Sequence, residues 1–219
     1  MRLADRIDQR FIAGRPDDLA EELGSDGIRT ILIIICEAYK ILFILGKVKS
    51  AMNETRITEE LFIELQAVMR TDEYRNLSLY PIHEKSHDRN GKGRGKTPTI
   101  DFCFRDRWVR DRYFGAECKL LKENYKTLYD DYVAGGVCRY LTGKYSENCS
   151  IGSMIGYITS GNTGEIISEV KNRVDKTRNV SKMEKSDPIN SFNEHYTSVH
   201  KRENDFSLFH VHHLFFSFT

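Results

Sequence analysis

The stretch TPTIDFCFRDRWVRDRYFGAECKLL, residues 97–121, has the alternation of a β-hairpin but carries charged residues inside its apolar runs. In an antiparallel pair, a turn centred on Val109 brings Asp101 opposite Glu117. Side chains alternate between the two faces of a strand, so Asp101, Glu117 and Lys119 share one face and the phenylalanines take the other. The sequence therefore predicts a hairpin with an apolar side and a charged side.

The charged side of this hairpin brings two carboxylates together. Like charges that face each other across a ladder destabilise it by roughly 0.2 to 1 kcal/mol, and a divalent cation would offset this cost. Mg²⁺ is bound by one or two carboxylates when phosphate oxygens supply its other ligands, and a nearby lysine stabilises the charge that develops on a phosphoryl group. We therefore expect phosphodiester hydrolysis. The alternative is structural, with Asp101 and Glu117 paired to Arg105 or Arg112 on a solvated sheet face.

Pro98, Asp101 and the triplet ECK at 117–119 resemble the signature of the PD-(D/E)xK nucleases, although two residues separate this proline from the aspartate. That superfamily includes many restriction endonucleases and many repair and defence nucleases. The resemblance implies an α/β fold, with a restriction-endonuclease-like αβββαβ core and a mixed sheet. We expect one domain over 1–219, comprising an N-terminal helical segment at 1–50, the catalytic core at 51–160, and a C-terminal helix and closing strand at 161–219.

The resemblance also assigns roles to single residues. It implies that Asp101 and Glu117 are metal ligands and that Lys119 is the catalytic lysine, so all three belong to the catalytic set. The implied cofactor is Mg²⁺, with Mn²⁺ as a substitute.

A helix ahead of the hairpin often adds a glutamate to such sites, and the candidates here are Glu54, Glu60 and Glu64. We favour Glu54 as a metal ligand because the run NETRIT resembles helix starts in nucleases of the defence type. Asn53 is a suitable N-cap, and a carboxylate in the first turn is also favoured by the helix dipole alone. Glu64 lies at the edge of an apolar stripe.

Basic residues provide candidate contacts to nucleic acid. The run HDRNGKGRGK, 87–96, alternates glycine with lysine and arginine. Asn90 replaces the first glycine of a phosphate-binding P-loop and the run precedes a strand, so nucleotide binding is disfavoured. A basic loop of this kind can contact backbone phosphates, as can an arginine on the next helix. The candidate nucleic-acid-binding residues are Lys92, Arg94, Lys96 and Arg139.

Hydrophobic spacing predicts the remaining elements. They are short helices at 2–13 and 17–23, an apolar helix at 26–47, a helix with an apolar stripe from Ile57 to Val68, a strand near 78–85, a helix at 120–142 bent at its paired glycines, a strand at 150–160, a helix near 164–175, a loop at 176–188 and a closing strand in FSLFHVHHLFFSF, 206–218. The alternating histidines of HVHH favour strand packing over a metal site.

The composition excludes several classes of protein. The 219 residues carry a net charge of +1, and the five cysteines include no CxxC pair, so neither a disulfide scaffold nor a zinc ribbon is indicated. Glu37 and Lys40 interrupt the apolar helix, which favours a buried core helix over a membrane span. No secretion signal is visible, so we expect a cytoplasmic protein.

These inferences combine into one functional expectation. We expect an Mg²⁺-dependent endonuclease that acts on DNA, with RNA as the other polymer to test, in a restriction or anti-phage defence system. Its partners would be a second copy of the chain, joined through the apolar helix, or another subunit of a defence complex, without a membrane. The alternative is a catalytically silent nuclease-like domain that binds nucleic acid or serves as an assembly subunit.

Overall fold

The computed structural model describes residues 18–86, 99–106, 112–146, 148–203 and 207–219. Its elements are α1 (Leu19–Ile44), α2 (Glu54–Met69), β1 (Leu79–Ser86), β2 (Thr99–Asp106), β3 (Tyr113–Lys122), α3 (Lys126–Asp131), a π-helical segment (Tyr132–Val137), α4 (Cys138–Leu141), β4 (Ile151–Ser160), α5 (Thr163–Val174), β5 (Asn179–Lys185), β6 (His195–Lys201) and β7 (Leu208–Ser217). The short helix expected at 2–13, the basic run at 87–96 and the centre of the hairpin turn lie outside the described residues, whereas the short helix expected at 17–23 is, from Leu19 on, the first part of α1.

The described strands form a seven-stranded sheet in the order β1-β2-β3-β4-β7-β6-β5. The central pairs β3–β4 and β4–β7 are parallel. The outer pairs β1–β2, β2–β3, β6–β7 and β5–β6 are antiparallel. The chain is therefore an α/β protein with a mixed sheet and an N-terminal helix, as the sequence predicts.

Helices cover both faces of this sheet. On one face α1 and α2 pack against an apolar cluster that includes Phe102, Phe114 and Cys118. On the other face α3 to α5 pack against a second cluster that includes Tyr113 and Met154. Strands β3 and β4 are buried along almost their whole length, as expected for central strands covered on both sides.

The apolar helix at 26–47 is a core helix. Its aliphatic side chains are buried against the sheet along most of α1, which bends at Gly24. Phe43, Ile44 and Leu45, at its C-terminal end, are exposed. None of the described helices combines the length and the hydropathy needed to cross a membrane.

Three stretches differ from the predicted elements. The predicted loop at 176–188 contains strand β5, whose only buried side chain is that of Met183, so the stretch lacks the apolar alternation by which strands are recognised. The predicted helix at 120–142 begins later because β3 continues to Lys122, and it winds as α3, a π-helical segment and α4. Strand β6 was not predicted.

The histidines of the closing strands pack inside the fold. A hydrogen bond of 2.9 Å joins His195 Nε2 and His212 Nδ1. The hydroxyl of Ser198 bonds to His200 Nε2 at 2.7 Å and to His213 Nε2 at 2.8 Å. Burial lowers the pKa of all four imidazoles, that of His200 to about 4 and that of His212 to about 3. These imidazoles are therefore neutral near pH 7 and their hydrogen bonds hold β6 to its neighbours.

Candidate active site

The hairpin has the register that the sequence predicts. Phe102 pairs with Ala116 and Phe104 with Phe114, which is the register in which Asp101 comes opposite Glu117. The paired segment of β2 and β3 starts at Phe102, whereas β2 remains paired with β1 back to Thr99. Strands β2 and β3 therefore separate at the position of the two acids.

Carboxylates occupy the edge of β3 where the strands separate. The amide of Cys118 donates to Asp101 Oδ2 at 2.6 Å, and the amide of Leu120 donates to Glu54 Oε2 at 2.8 Å. Alternate amides of a strand point to the same edge, where a fully paired β2 would offer carbonyl oxygens. The carboxylates of Asp101, on β2, and of Glu54, in the first turn of α2, take the place of those carbonyls. Both acids therefore lie at the same edge of β3.

Lys119 lies among these acids and is buried. Its Nζ donates to Glu117 Oε1 at 2.8 Å, to Glu54 Oε1 at 3.3 Å and to the carbonyl of Cys118 at 2.9 Å. An ammonium has three protons to donate, so these three acceptors satisfy it. Burial opposes the charged form, but the carboxylates of Glu117, Glu54 and Asp101 outweigh this and raise the pKa of Lys119. Lys119 is therefore a cation at neutral pH.

Glu117 is the most enclosed of the acids, with 2% of its side chain exposed. Its Oε1 contacts Lys119 and lies 3.5 Å from Arg139 Nη1, whereas its Oε2 is buried without a hydrogen-bond partner. Burial, and then the neighbouring Asp101, raise the pKa of Glu117 to about 8. Burial likewise raises the pKa of Asp101 to about 6. The folded site therefore favours the protonated forms of both acids more than solvent does.

Arg139 lies on α4 and approaches Glu117 from the face of the sheet that α3 to α5 cover. It follows the π-helical segment, where a Cβ at Gly136 would lie 2.2 Å from Met154 Cε and 3.9 Å from Glu117 Cγ. The glycine thus allows the helix to pass close to the acid. Arg139 also donates to the hydroxyl of Tyr145, which in turn donates to the carbonyl of Thr99.

The structural alternative predicts that Asp101 and Glu117 pair with Arg105 or Arg112. Arg112 forms an ion pair with Glu22, and the guanidinium of Arg105 lies 5.9 Å from the ring centroid of Tyr80. The cations that contact Glu117 are Lys119 and Arg139. The pairing to Arg105 or Arg112 is therefore not what the structure shows for Glu117.

The other sequence candidates are placed as follows. Glu60 pairs with Arg56 and Lys47, and Glu64 pairs with Lys47, so Glu54 is the helical glutamate that contacts Lys119. Lys92, Arg94 and Lys96 lie outside the described residues. Tyr145 was not predicted, because an isolated tyrosine between a helix and a strand carries no sequence signal.

The sequence predicts a divalent metal ion at this site. Among the described residues, no group of three or more His, Cys, Asp or Glu side chains has the spacing of a metal site. The buried Oε2 of Glu117 nevertheless has no hydrogen-bond partner. The carboxylate oxygens of Glu117, Asp101 and Glu54 are hard ligands of the kind that Mg²⁺ and Mn²⁺ prefer. The donor chemistry therefore fits a divalent cation, and Lys119 is the cation that contacts both Glu117 and Glu54 here.

Comparisons with known proteins supply no relative: no protein-family model, no curated protein and no solved structure matches this chain.

Proposed function

We propose that the protein is a metal-dependent nuclease that hydrolyses phosphodiester bonds in DNA in the manner of PD-(D/E)xK enzymes. The observation that carries the proposal is the buried Oε2 of Glu117, which has no hydrogen-bond partner. The other oxygen of this carboxyl contacts Lys119, whose ammonium also contacts Glu54, and Asp101 is near enough to raise the pKa of Glu117. Burying a carboxyl oxygen without a hydrogen-bond partner costs free energy of folding, so the presence of one here favours a ligand over a purely structural role.

The order of elements supports the finer assignment of the fold. The succession α2, β1, β2, β3, the helices α3 to α4, and β4 corresponds to an αβββαβ core. The two acids of the proposed motif come from its second and third strands and Glu54 from its first helix. This is the arrangement that the resemblance implies for a restriction-endonuclease-like core.

The proposed roles follow from the chemistry of each side chain. Asp101, Glu117 and Glu54 would hold Mg²⁺, or Mn²⁺ in its place. When bound, such an ion acidifies water and polarises the phosphoryl group. Lys119 keeps its proton because its pKa is raised, so it orients the attacking water and offsets negative charge on the phosphorane, and it does not accept a proton.

The biological setting is part of the same proposal. We infer a cytoplasmic enzyme of a restriction or anti-phage defence system, and the free cysteines fit a reducing compartment. One site cuts one strand, so cleavage of both strands of a duplex requires a second copy of the chain or a partner subunit.

Plasmid nicking tests the proposal directly. Supercoiled DNA is incubated with the full chain in Mg²⁺, Mn²⁺ or EDTA, and duplex and single-stranded RNA are run in parallel. Glu117→Gln should abolish metal-dependent cleavage, and Lys119→Met should slow it by about a hundredfold or more. Lys122→Met, a matched change on the same strand at a lysine that donates to the Ser50 carbonyl, should retain it. Equal cleavage by all proteins, or by none, contradicts the assignment.

A second candidate is a catalytically silent nuclease-like domain that binds nucleic acid or a partner subunit. The observation in its favour is that the ammonium of Lys119 already contacts both Glu117 and Glu54. Calorimetric titration with Mn²⁺ separates the two candidates. The nuclease binds the ion through its carboxylates, whereas the silent domain binds DNA in EDTA and takes up no Mn²⁺.

A further inference from the structure

Tyr145 connects the candidate site to the strand that carries Asp101. Its hydroxyl accepts a hydrogen bond from Arg139 Nη1 and donates one of 3.0 Å to the carbonyl of Thr99, two residues before Asp101. The amide of Tyr145 also donates to the carbonyl of Arg139 at 3.2 Å. The tyrosine ring is fully buried. The side chain therefore ties Arg139 to β2 through a fixed, enclosed group.

The hydroxyl is suited to this bridging position. Burial, and then the charge of Glu117, raise the pKa of Tyr145 to about 12, so the hydroxyl keeps its proton. A protonated phenol can accept from the guanidinium and donate to a carbonyl at the same time. Phenylalanine would fill the same space and lose both bonds.

Arg139 is the part of this arrangement that a ligand can reach. Its side chain is 39% exposed, in contrast to Glu117 and Lys119, and its Nη1 lies 3.5 Å from Glu117 Oε1. A guanidinium has five donors in a planar fork that matches a phosphate, and two of its contacts here face inward. The contacts to Tyr145 and Glu117 are both made by Nη1, so a phosphate would be bound through Nη2 and Nε.

We propose that Tyr145 is a positioning residue that holds the guanidinium of Arg139 ready to bind a phosphate next to the scissile bond. This inference rests on the proposed nuclease function and extends it by naming how the substrate backbone is aligned. An unrestrained arginine has to lose rotamer entropy when it binds, so a fixed one binds the phosphate more tightly and places it more accurately. The contact reads the backbone and no base, so it serves any sequence.

The contrasting explanation is that Tyr145 is an ordinary core residue. In that case loss of its hydroxyl weakens folding, and any effect on substrate is independent of Arg139. Under the proposal, the effect of the hydroxyl on substrate passes through Arg139 and disappears when the arginine is absent. A double-mutant cycle distinguishes these cases.

The experiment uses the full chain with Tyr145→Phe, Arg139→Ala and the double variant. Tyr140→Phe is the matched control, because it removes a neighbouring buried hydroxyl that bonds to the carbonyl of Ser153. Affinity for a fluorescein-labelled DNA duplex is measured by anisotropy in EDTA over a range of salt concentrations. Plasmid nicking in Mg²⁺ and the unfolding midpoint are measured on the same preparations.

We expect Tyr145→Phe to weaken DNA binding and to slow nicking about tenfold with an unfolding midpoint close to that of Tyr140→Phe. Arg139→Ala should weaken both further and reduce the salt slope of binding by about one phosphate contact. In the Arg139→Ala background, Tyr145→Phe should have no further effect on binding or nicking. Tyr140→Phe should bind and nick as the wild type does.

The outcomes separate this inference from the proposed function. A wild-type protein that neither binds nor nicks DNA defeats the nuclease and this inference together. A wild type that nicks, with Tyr145→Phe unchanged, overturns the positioning role alone. The same holds if Tyr145→Phe lowers nicking equally with and without Arg139, because the hydroxyl then acts through folding.

Discussion

Glu117→Gln tests whether the buried acid of the candidate site carries its charge at a cost to folding. The pKa of Glu117 is raised from 4.5 to about 8, first by burial and then by Asp101. The unfolded chain releases this proton near its ordinary pKa, whereas the folded protein retains it to about pH 8. The stabilising contribution is therefore complete below about pH 4.5 and is lost as the pH rises through 8.

Other titrating groups limit the pH range in which a change in stability reports on Glu117. The buried histidines have lowered pKa values, so they add stability as the pH rises, but only up to their ordinary value of 6.5. The buried cysteines have raised pKa values, so the protein loses stability through their ionisation only above their ordinary pKa of 9.0. Between pH 6.5 and 8 the change in stability therefore reports mainly on Glu117.

The expected magnitude follows from this window. Each pH unit between the unfolded and folded pKa of one group changes the free energy of unfolding by about 1.4 kcal/mol. We expect the wild type to lose about 2 kcal/mol between pH 6.5 and pH 8, which lowers the unfolding temperature by about 4 to 8 °C. The side chain is 2% exposed, so solvent screens little of this effect.

Urea unfolding in EDTA, at both ends of this window, measures the change. Glu117→Gln should remove the loss, because glutamine does not titrate. Glu64→Gln is the control, since it changes a buried glutamate that pairs with Lys47 and leaves Glu117 in place, so the loss should persist. A loss of stability in Glu117→Gln equal to that of the wild type would refute the reasoning.

Three further predictions concern the binding of Mn²⁺ and the roles of Lys119 and Glu54. Mn²⁺ should raise the unfolding midpoint of the wild type more at pH 8 than at pH 6.5, because a metal competes with the proton on Glu117, and Glu117→Gln should show no such gain in urea unfolding. Lys119→Met should slow single-turnover nicking by about a hundredfold or more while the Lys122→Met control nicks normally; equal rates would contradict the role of the lysine. Glu54→Gln should weaken Mn²⁺ binding about tenfold in calorimetry, and Glu60→Gln on the same helix should leave it unchanged.

The hairpin register could be predicted from the sequence because one apolar face and one charged face permit few alternatives. Phe102 and Phe114 need the same buried side, and a shift by one residue would expose them. The helices α1, α2 and α5 were likewise predictable, since their apolar spacing is strong. Strand β5 was not, because an edge strand with one buried side chain is held by pairing with β6 and not by an apolar face.

The candidate site was less predictable than the fold. The hairpin register places Asp101 opposite Glu117, with Lys119 two residues further along β3, so the approximate positions of these three could be predicted, although not the bond from the Cys118 amide to Asp101. Glu54 joins them because its carboxylate accepts the amide of Leu120, a contact between residues 66 positions apart. No local pattern specifies such a contact, and the choice among three glutamates had to come from a resemblance.

The separation of β2 from β3 explains why the acids converge, and its cause lies in Ile100 and Gly115. Strict alternation would put Ile100 on the same side as Phe102, beneath α1 and α2. Ile100 instead belongs to the opposite cluster, and a Cβ at Gly115 would lie 2.3 Å from Ile100 Cδ1. Glycine at this position therefore leaves room for Ile100 on that side. With the strand turned there, Asp101 is directed to the amide of Cys118 at 2.6 Å, so its carboxylate replaces a ladder bond and stays beside Glu117. A pair of apolar packing positions thus accounts for the geometry of a polar site.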